Sequence, residues 1–536
     1  MHASSPSGEL SSLRFVNRFT SELPADLVAE NFPRQVKGAC FSRVAPVQSP
    51  DPKLIACAPE VAGDLLGLGA AACESKEFLQ AFSGNKLLNG MDTYAMCYGG
   101  HQFGNWAGQL GDGRAINLGE IENGNGEHWT LQLKGAGPTP YSRSGDGYAV
   151  LRSSVREFLC SEAMFHLGVP TTRALSLITT GSPIVRDMFY DGNAEAEPGA
   201  VVCRVARSFI RFGNFQIFAA RREHEELKQL LDFTIQSDFP HLGAPSKTVY
   251  AEWFREVCKR TSSMILHWMR VGFVHGVMNT DNMSVLGETI DYGPYGWLED
   301  FDLGWTPNTT DAGQRRYCYG NQASIAHWNL VQLANAIAPL LDDETDPLRE
   351  TLEAYAENYV QDWRVMMLSK LGLETTNAEA DQSFLEPLLE VLQLVETDMT
   401  IFYRRLADVD LSQLNAADLL APLVEAYYQP DDIPAEVTQK TRVWLALYAQ
   451  RVAASPLDAD TRRDRMNQVN PIYVLRNYQA QLAIEAAEKG DNSRVELLHD
   501  VLRSPYVERS GLEEFAAKRP EWARHRPGCS TLSCSS

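Results

Sequence analysis

Hydrophobic and polar positions change period several times along the chain. RAINLGEI (114–121) and HWTLQLKG (128–135) are alternating runs, as in strands with one buried face, and the intervening ENGNGE (122–127) predicts a hairpin. Residues 151–168 shift to helical spacing, with apolar residues at 151, 155, 158, 159 and 165, and stop at Gly168 shortly before Pro170. ALSLITT (174–180) and AVVCRVARSFIRF (200–212) predict two more strands. From about Glu223 the pattern is mainly helical to about residue 505, interrupted by a loop-rich island at 272–321. Residues 1–88 are mixed and proline-punctuated, with one short helical stretch near 60–66. The segment 98–146 is dense in glycine, and 519–536 is a polar tail rich in Ser, Pro and Arg. No internal repeat is visible.

A small strand-rich half followed by a larger helical half is the layout of a two-lobed, protein-kinase-like α+β fold, and pattern alone leaves this one option among several. At 536 residues the chain has room for three to four domains, or for two lobes with extensions. Hydrophobic residues at 44% and charged residues at 22% exclude wholesale disorder and a fibrous protein. Lysine and arginine number 48 against 69 aspartates and glutamates, a formal charge of −21. A field of that sign repels phosphate backbones and anionic lipid, so no nucleic-acid or membrane partner is expected, while a local basic pocket stays compatible with it. No apolar run approaches the roughly 18 residues of a membrane helix, and MHASSPSGELSSLRF lacks the build of a secretory signal or transit peptide. The ten cysteines contain no CxxC pair, which argues against a structural zinc site. These features predict a cytoplasmic protein with mostly reduced thiols. The exceptions to watch are Cys529 and Cys534, in a tail that reads as mobile.

Four features carry chemistry. In WAGQLGDGR (106–114), closely spaced glycines let backbone N–H groups approach phosphate oxygens. It is no Walker A loop, since GxxxxGK[ST] is absent, and no Rossmann fingerprint, since a strand follows where a helix should open. Lys134 closes the strand 129–133, and Glu157 stands in mid-helix. Singly these are a tight turn, a solvated lysine and a surface glutamate. In this order they are the glycine loop, strand lysine and helix glutamate of a kinase. The fourth feature is HGVMNTDN (275–282) followed by VLGETIDYG (285–293), spaced as kinases space HRDxxxxN and DFG, with Asn282 and Asp291 at the metal-ligand positions. Where a kinase has its base, two residues after His275, stands Val277, which accepts no proton. The nearest replacement is Asp281. The residues alone leave open whether a different phosphorus is attacked or the protein is a dead kinase.

These stretches resemble the selenoprotein O family of protein AMPylases, as a bacterial-type member with cysteine in place of selenocysteine. The resemblance rests on YGGHQFGNWAGQLGDGRA (98–115), LQLKGAGPTPYSRSGDGYAVLRSSVREFL (131–159) and GFVHGVMNTDNMSVLGETIDYGPYGWLEDFD (272–302), and extends through YCYGNQ (317–322) to the CSS ending (534–536). It implies a pseudokinase fold with an N-terminal extension (1–88), a β-rich N-lobe (89–221), a helical C-lobe (222–505) carrying the catalytic and metal-binding loop (272–322), and a C-terminal tail (506–536). It also implies ATP bound in a flipped orientation, with AMP passing to a Ser, Thr or Tyr hydroxyl of a protein substrate and pyrophosphate leaving. Val277 is then no defect.

Carried over residue by residue, Gly111, Gly113 and Arg114 contact the nucleotide. Lys134, held by Glu157, grips phosphates, with Asp146 and Gly147 assisting. Arg204 and Arg211 match two phosphate-binding arginines seven apart, with Arg207 between them. Asp281 is the proton acceptor, and Asn282 and Asp291 hold Mg²⁺ or Mn²⁺ beside the nucleotide. Cys534 takes the place of the family's reactive C-terminal residue, and Cys318 is the candidate partner for a regulatory disulfide, with Cys529 as a competitor and thiol–disulfide exchange proteins as partners. Three alternatives stand: a γ-phosphoryl kinase using Asp281 as base, UTP as donor, or a non-catalytic nucleotide-binding scaffold. Retention of Lys134, Glu157, Asn282 and Asp291 speaks against the scaffold.

Overall fold

A computed structural model describes residues 8–188, 192–342, 344–529 and 531–533. Its centre is a nine-stranded antiparallel sheet whose main path runs Phe41–Arg43, Tyr94–Met96, Ala115–Glu122, His128–Lys134, Glu195–Ala206, Arg173–Arg186, Lys53–Cys57. The hairpin expected around residue 122 forms, with Glu122 opposite His128 and Ala115 opposite Lys134. The next two strands extend further than their sequence pattern suggests. Only their inner halves are buried, and beyond Gly181 they continue as a mostly exposed ribbon that carries no apolar alternation to read. The segment before residue 88 supplies both end strands of the main path, Phe41–Arg43 and Lys53–Cys57. Its short helical stretch is a single turn, Val61–Leu65.

The helix Leu151–His166 packs on this sheet through the buried Leu151, Val155, Phe158 and Leu159. Phe165, expected on the same stripe, is instead exposed, and the Arg173 guanidinium lies 3.4 Å from its ring centroid. The run 200–212 does not continue as one strand. The strand ends at Ala206, and a helix, Phe212–Arg221, opens well before residue 223. Its first turn is closed by Asn214, whose Oδ1 accepts the Arg211 N–H at 2.8 Å. Phe212, Phe215 and Phe218, strand formers by composition, recur every third residue and are buried along that helix.

The island is stitched to the sheet half. The Phe212 N–H donates to Met283 O at 2.9 Å, and isolated bridges join Arg211 to Ser284 and Thr171 to Thr289. From behind, Trp268 on the helix Lys247–Val271 donates its indole N–H to Thr289 Oγ1 at 2.8 Å. The tail, expected to be mobile, is docked. Leu532 donates to Pro307 O at 2.9 Å and accepts from the Thr309 N–H at 2.7 Å, and Cys529 is buried with its thiol pushed up to about 11, chiefly by burial. Cys318 is likewise buried and its thiol raised by burial, while Cys534, and with it the Cys318–Cys534 pairing, lies outside the described residues. Among the described residues no helix is long and apolar enough to cross a membrane.

Two carboxyls near the island are held protonated into the neutral range. Burial pushes Asp238 up to about 7, and burial together with the charge of Asp238 pushes Glu288 up to about 8. Both folded values exceed the unfolded value of about 4. The folded chain therefore keeps protons that the unfolded chain releases, and stability declines as pH rises from about 4 through 8. Glu288→Gln is expected to raise the melting temperature at pH 8.5 and leave it unchanged at pH 4. Equal melting temperatures of variant and parent at both values would remove the effect.

Candidate active site

Between the inner ends of the central strands and the island lies a cleft of 790 Å³, within the range of small-molecule sites. The glycine loop, Lys134, Arg204 and the island residues Asp281, Asn282 and Asp291 all line it.

At its floor is a compact charge cluster. Lys134, the last residue of its strand, places Nζ 2.5 Å from Glu157 Oε2 and 3.5 Å from Asp291 Oδ1. Sheet register sets Arg204 opposite Gln132, and hence on the same face as Lys134. Arg204 Nη1 lies 3.0 Å from Glu157 Oε1 and 2.5 Å from Asp291 Oδ1, while its Nε donates to Gln132 Oε1 at 3.1 Å. Arg211, capping the helix Phe212–Arg221, places Nη1 2.5 Å from Asp291 Oδ2, donates to Asp281 O at 2.8 Å, and lies over the Tyr98 ring. Arg207 turns away and pairs with Glu127 at the surface at 2.9 Å, while Arg204 and Arg211 both reach Asp291, Arg204 lining the cleft and Arg211 buried behind it. Three cations thus surround two carboxylates. Burial alone would raise Asp291, but Arg211, Arg204 and Lys134 hold its carboxyl well below the usual range. Lys134 is lowered, since burial outweighs Glu157 and Asp291, and the nearby Arg114 lowers it further. Asp291 sits in the left-handed region at φ +61°, the bend that turns its carboxylate toward all three cations.

The loop 275–282 is braced by His275. Its ring stacks on Trp268, Nδ1 accepts the Val277 N–H at 3.3 Å, and Nε2 donates to Ile290 O at 3.0 Å. Burial lowers its pKa, so the ring is neutral and ties this loop to the residue before Asp291. Asn282 donates Nδ2 to Val277 O at 2.9 Å, which keeps its Oδ1 available as an acceptor. Val277 presents only methyl groups to the cleft. Burial pushes the Asp281 carboxyl up to about 6, against its hydrogen bond from a backbone N–H and the charge of Arg211.

The remaining expected residues stand at the rim. Gly111 (φ +80°) passes so close to Tyr141 that a Cβ would lie 2.4 Å from the ring, and Gly113 and Arg114 follow it along the wall. Asp146 is clamped by Arg186, Nη1 to Oδ2 at 2.7 Å and Nη2 to Oδ1 at 2.8 Å, and Gly147 adjoins it. Gln132, Gln102 and Arg186 are site residues that the sequence reading missed. Gln132 was findable, since it precedes Lys134 by two in an alternating strand and so shares its face. Arg186 and Gln102 gave no local signal.

Asn282 and Asp291 offer one amide oxygen and one carboxylate, and no group of three or more His, Cys, Asp or Glu side chains that could hold a metal occurs among the described residues. That donor set fits a magnesium-like ion that arrives on phosphates and keeps waters, rather than a stand-alone protein cage. Both Asp291 oxygens accept from guanidinium groups, so an ion held there would share the carboxylate with the arginines.

Three cations set against two carboxylates at the floor of this cleft suit an anionic ligand, and the similarity of nearly the whole chain to nucleotidyltransferases gives the class of protein. Residues 30–503 match the model of the family described as protein adenylyltransferase SelO, and the chain belongs to that family. Relatives named protein nucleotidyltransferase YdiU are 59% identical in Rhodopirellula baltica (98% of this chain, 99% of that protein), 58% in an Azoarcus species (98% and 99%) and 53% in Flavobacterium johnsoniae (98% and 100%).

Proposed function

We propose that this protein transfers AMP from ATP to Ser, Thr or Tyr hydroxyls of protein substrates in the cytoplasm, on a bilobal kinase-like framework (89–221 and 222–505) that binds ATP with its α-phosphate toward Asp281. The observation that carries this reading is the pairing of a deep cationic cluster around Asp291 with a carboxylate, Asp281, in a loop whose usual base position is Val277. The acceptor oxygen bonds to the α-phosphorus, its proton passes to Asp281, and the bond from the α-phosphorus to the bridging oxygen breaks, so pyrophosphate leaves with that oxygen. Lys134, Arg204 and Arg211 neutralise the charge that develops on it, and guanidinium forks suit phosphate oxygens better than an ammonium does. Asn282 and Asp291 would hold Mg²⁺ or Mn²⁺, which when bound would supply further neutralisation of phosphate charge. Docking of the tail at 307–309, in the same island as Cys318, supports a Cys318–Cys534 disulfide as a redox restraint, exchanged by thiol–disulfide partners.

The test compares ATP labelled at the α-phosphate with ATP labelled at γ, with Mg²⁺ and a reductant present and α-labelled UTP as a parallel donor. Covalent protein label from α alone is expected. Label from γ alone would make the protein a kinase using Asp281 as base, and label from neither despite ATP binding would make it a scaffold.

A further inference from the structure

The two oxygens of the Asp281 carboxylate have different surroundings. Oδ1 is sealed from solvent with no hydrogen-bond partner, against Gly100, where a Cβ would lie 2.7 Å from it. Oδ2 is the oxygen that Gln102 reaches, with Nε2 at 3.4 Å, and both side chains line the cleft.

Gln102 is itself fixed by its neighbours. It ends the strand Gly99–Gln102, which pairs with Asn105–Gln109. On one side, the His101 N–H donates to Thr280 Oγ1 at 2.7 Å, and that hydroxyl donates to Gln216 Oε1 at 2.6 Å. On the other, the Phe103 N–H donates to Asn279 Oδ1 at 3.2 Å and to the Tyr317 hydroxyl at 2.9 Å. The residues flanking Gln102 are thus pinned to the two residues preceding Asp281.

We propose that Gln102 is a positioning residue for Asp281: its amide holds Oδ2 and fixes the carboxylate rotation, so that the remaining lone pair of Oδ2 faces the cleft to receive the acceptor's hydroxyl proton. The inference rests on the reading of Asp281 as proton acceptor. Because Oδ1 is shut in under Gly100, only one oxygen is available, and a carboxylate free to rotate would spend much of its time misdirected. An oriented base is worth about 10²–10⁴-fold in rate, and loss of orientation alone forfeits part of that. No hydrogen bond joins Gln102 to Lys134, Arg204 or Arg211, so its replacement leaves those cations and their carboxylates in place.

The full-length protein would be assayed with α-labelled ATP and casein as acceptor, counting label in total protein, as Gln102→Leu, Gly100→Ala, Asp281→Asn and the Gln102→Leu/Asp281→Asn double variant. Gln102→Leu is expected to lower kcat about 10- to 100-fold while KM for ATP stays within about twofold. The double variant should be no slower than Asp281→Asn alone, since the two residues act as one unit. Gly100→Ala, which presses on Oδ1 from the other side, should give the same split, and it carries the test if Gln102→Leu does not fold. Full kcat in Gln102→Leu with Asp281→Asn inactive would overturn the positioning role, as would a rise in KM matching the fall in kcat. Full activity in Asp281→Asn would instead overturn the reading of Asp281 as base.

Discussion

Asp291→Ala is expected to lower AMP transfer by about 1,000-fold, about 4 kcal/mol of transition-state stabilisation, while metal-free ATP binds several-fold more tightly. The first effect follows from loss of the carboxylate that would hold the divalent ion. The second follows from the same carboxylate being the anion that occupies Arg204, Arg211 and Lys134. Without it Arg211 loses its carboxylate partner and Lys134 and Arg204 keep only Glu157, which leaves cationic capacity free for phosphates. The cations also become a liability to the fold, since breaking a buried charge pair typically costs about 3–5 kcal/mol, part of which bound triphosphate should restore. Label transfer reads the first effect, and calorimetric titration in the presence of EDTA reads the second. Parent-level transfer would eliminate the metal role, and unchanged metal-free affinity would mean that Asp291 does not compete with phosphates for the arginines.

Glu157→Ala should produce the next largest change, chiefly in stability. Glu157 is almost fully buried and divides its two oxygens between Lys134 on one strand and Arg204 on the next. Its removal leaves three buried cations, Lys134, Arg204 and Arg211, sharing Asp291 alone, a loss of about 3–5 kcal/mol. Lys134 is already lowered by burial, and without Glu157, which raises it, falls further. Transfer should drop about 100-fold, as for loss of one stabilising charge. Urea denaturation and α-label transfer measure the two consequences. A variant that unfolds at the parent's midpoint would show that the ion pair does not order this face of the sheet.

What the sequence disclosed and what it concealed divide along physical lines. The hairpin, the helix Leu151–His166 and the loop around His275 were legible because their signals are local: alternation, helical spacing and a fixed interval from His275 to Asn282. The contact of Arg204 with Gln132 depends on strand register, which no local pattern in 195–206 specifies. The Arg186–Asp146 clamp lies on the exposed ribbon, where burial leaves no periodicity. The aromatic run near residue 210 was read as strand because phenylalanine suits both periods, and the Asn214 cap decided the matter. The polar tail looked unattached because its anchors are long-range: Arg519 and Arg524 pair with Glu396, Arg526 with Glu485, and Leu532 bonds the backbone at 307–309, partners that composition does not reveal.

The sheet's order also bears on how the protein is made. Among the strands of the main path, Phe41–Arg43 and Lys53–Cys57 leave the ribosome first, yet they occupy its opposite ends, and Lys53–Cys57 pairs with Arg173–Arg186. For more than a hundred residues of synthesis that strand has no partner, and its apolar Leu54 and Ile55 stay exposed to the cell's chaperones. Long-range pairing of this kind slows folding. The half from Phe41–Arg43 to His128–Lys134 can therefore grow in chain order, while the half that holds Lys53–Cys57 closes only after Arg173–Arg186 has been made.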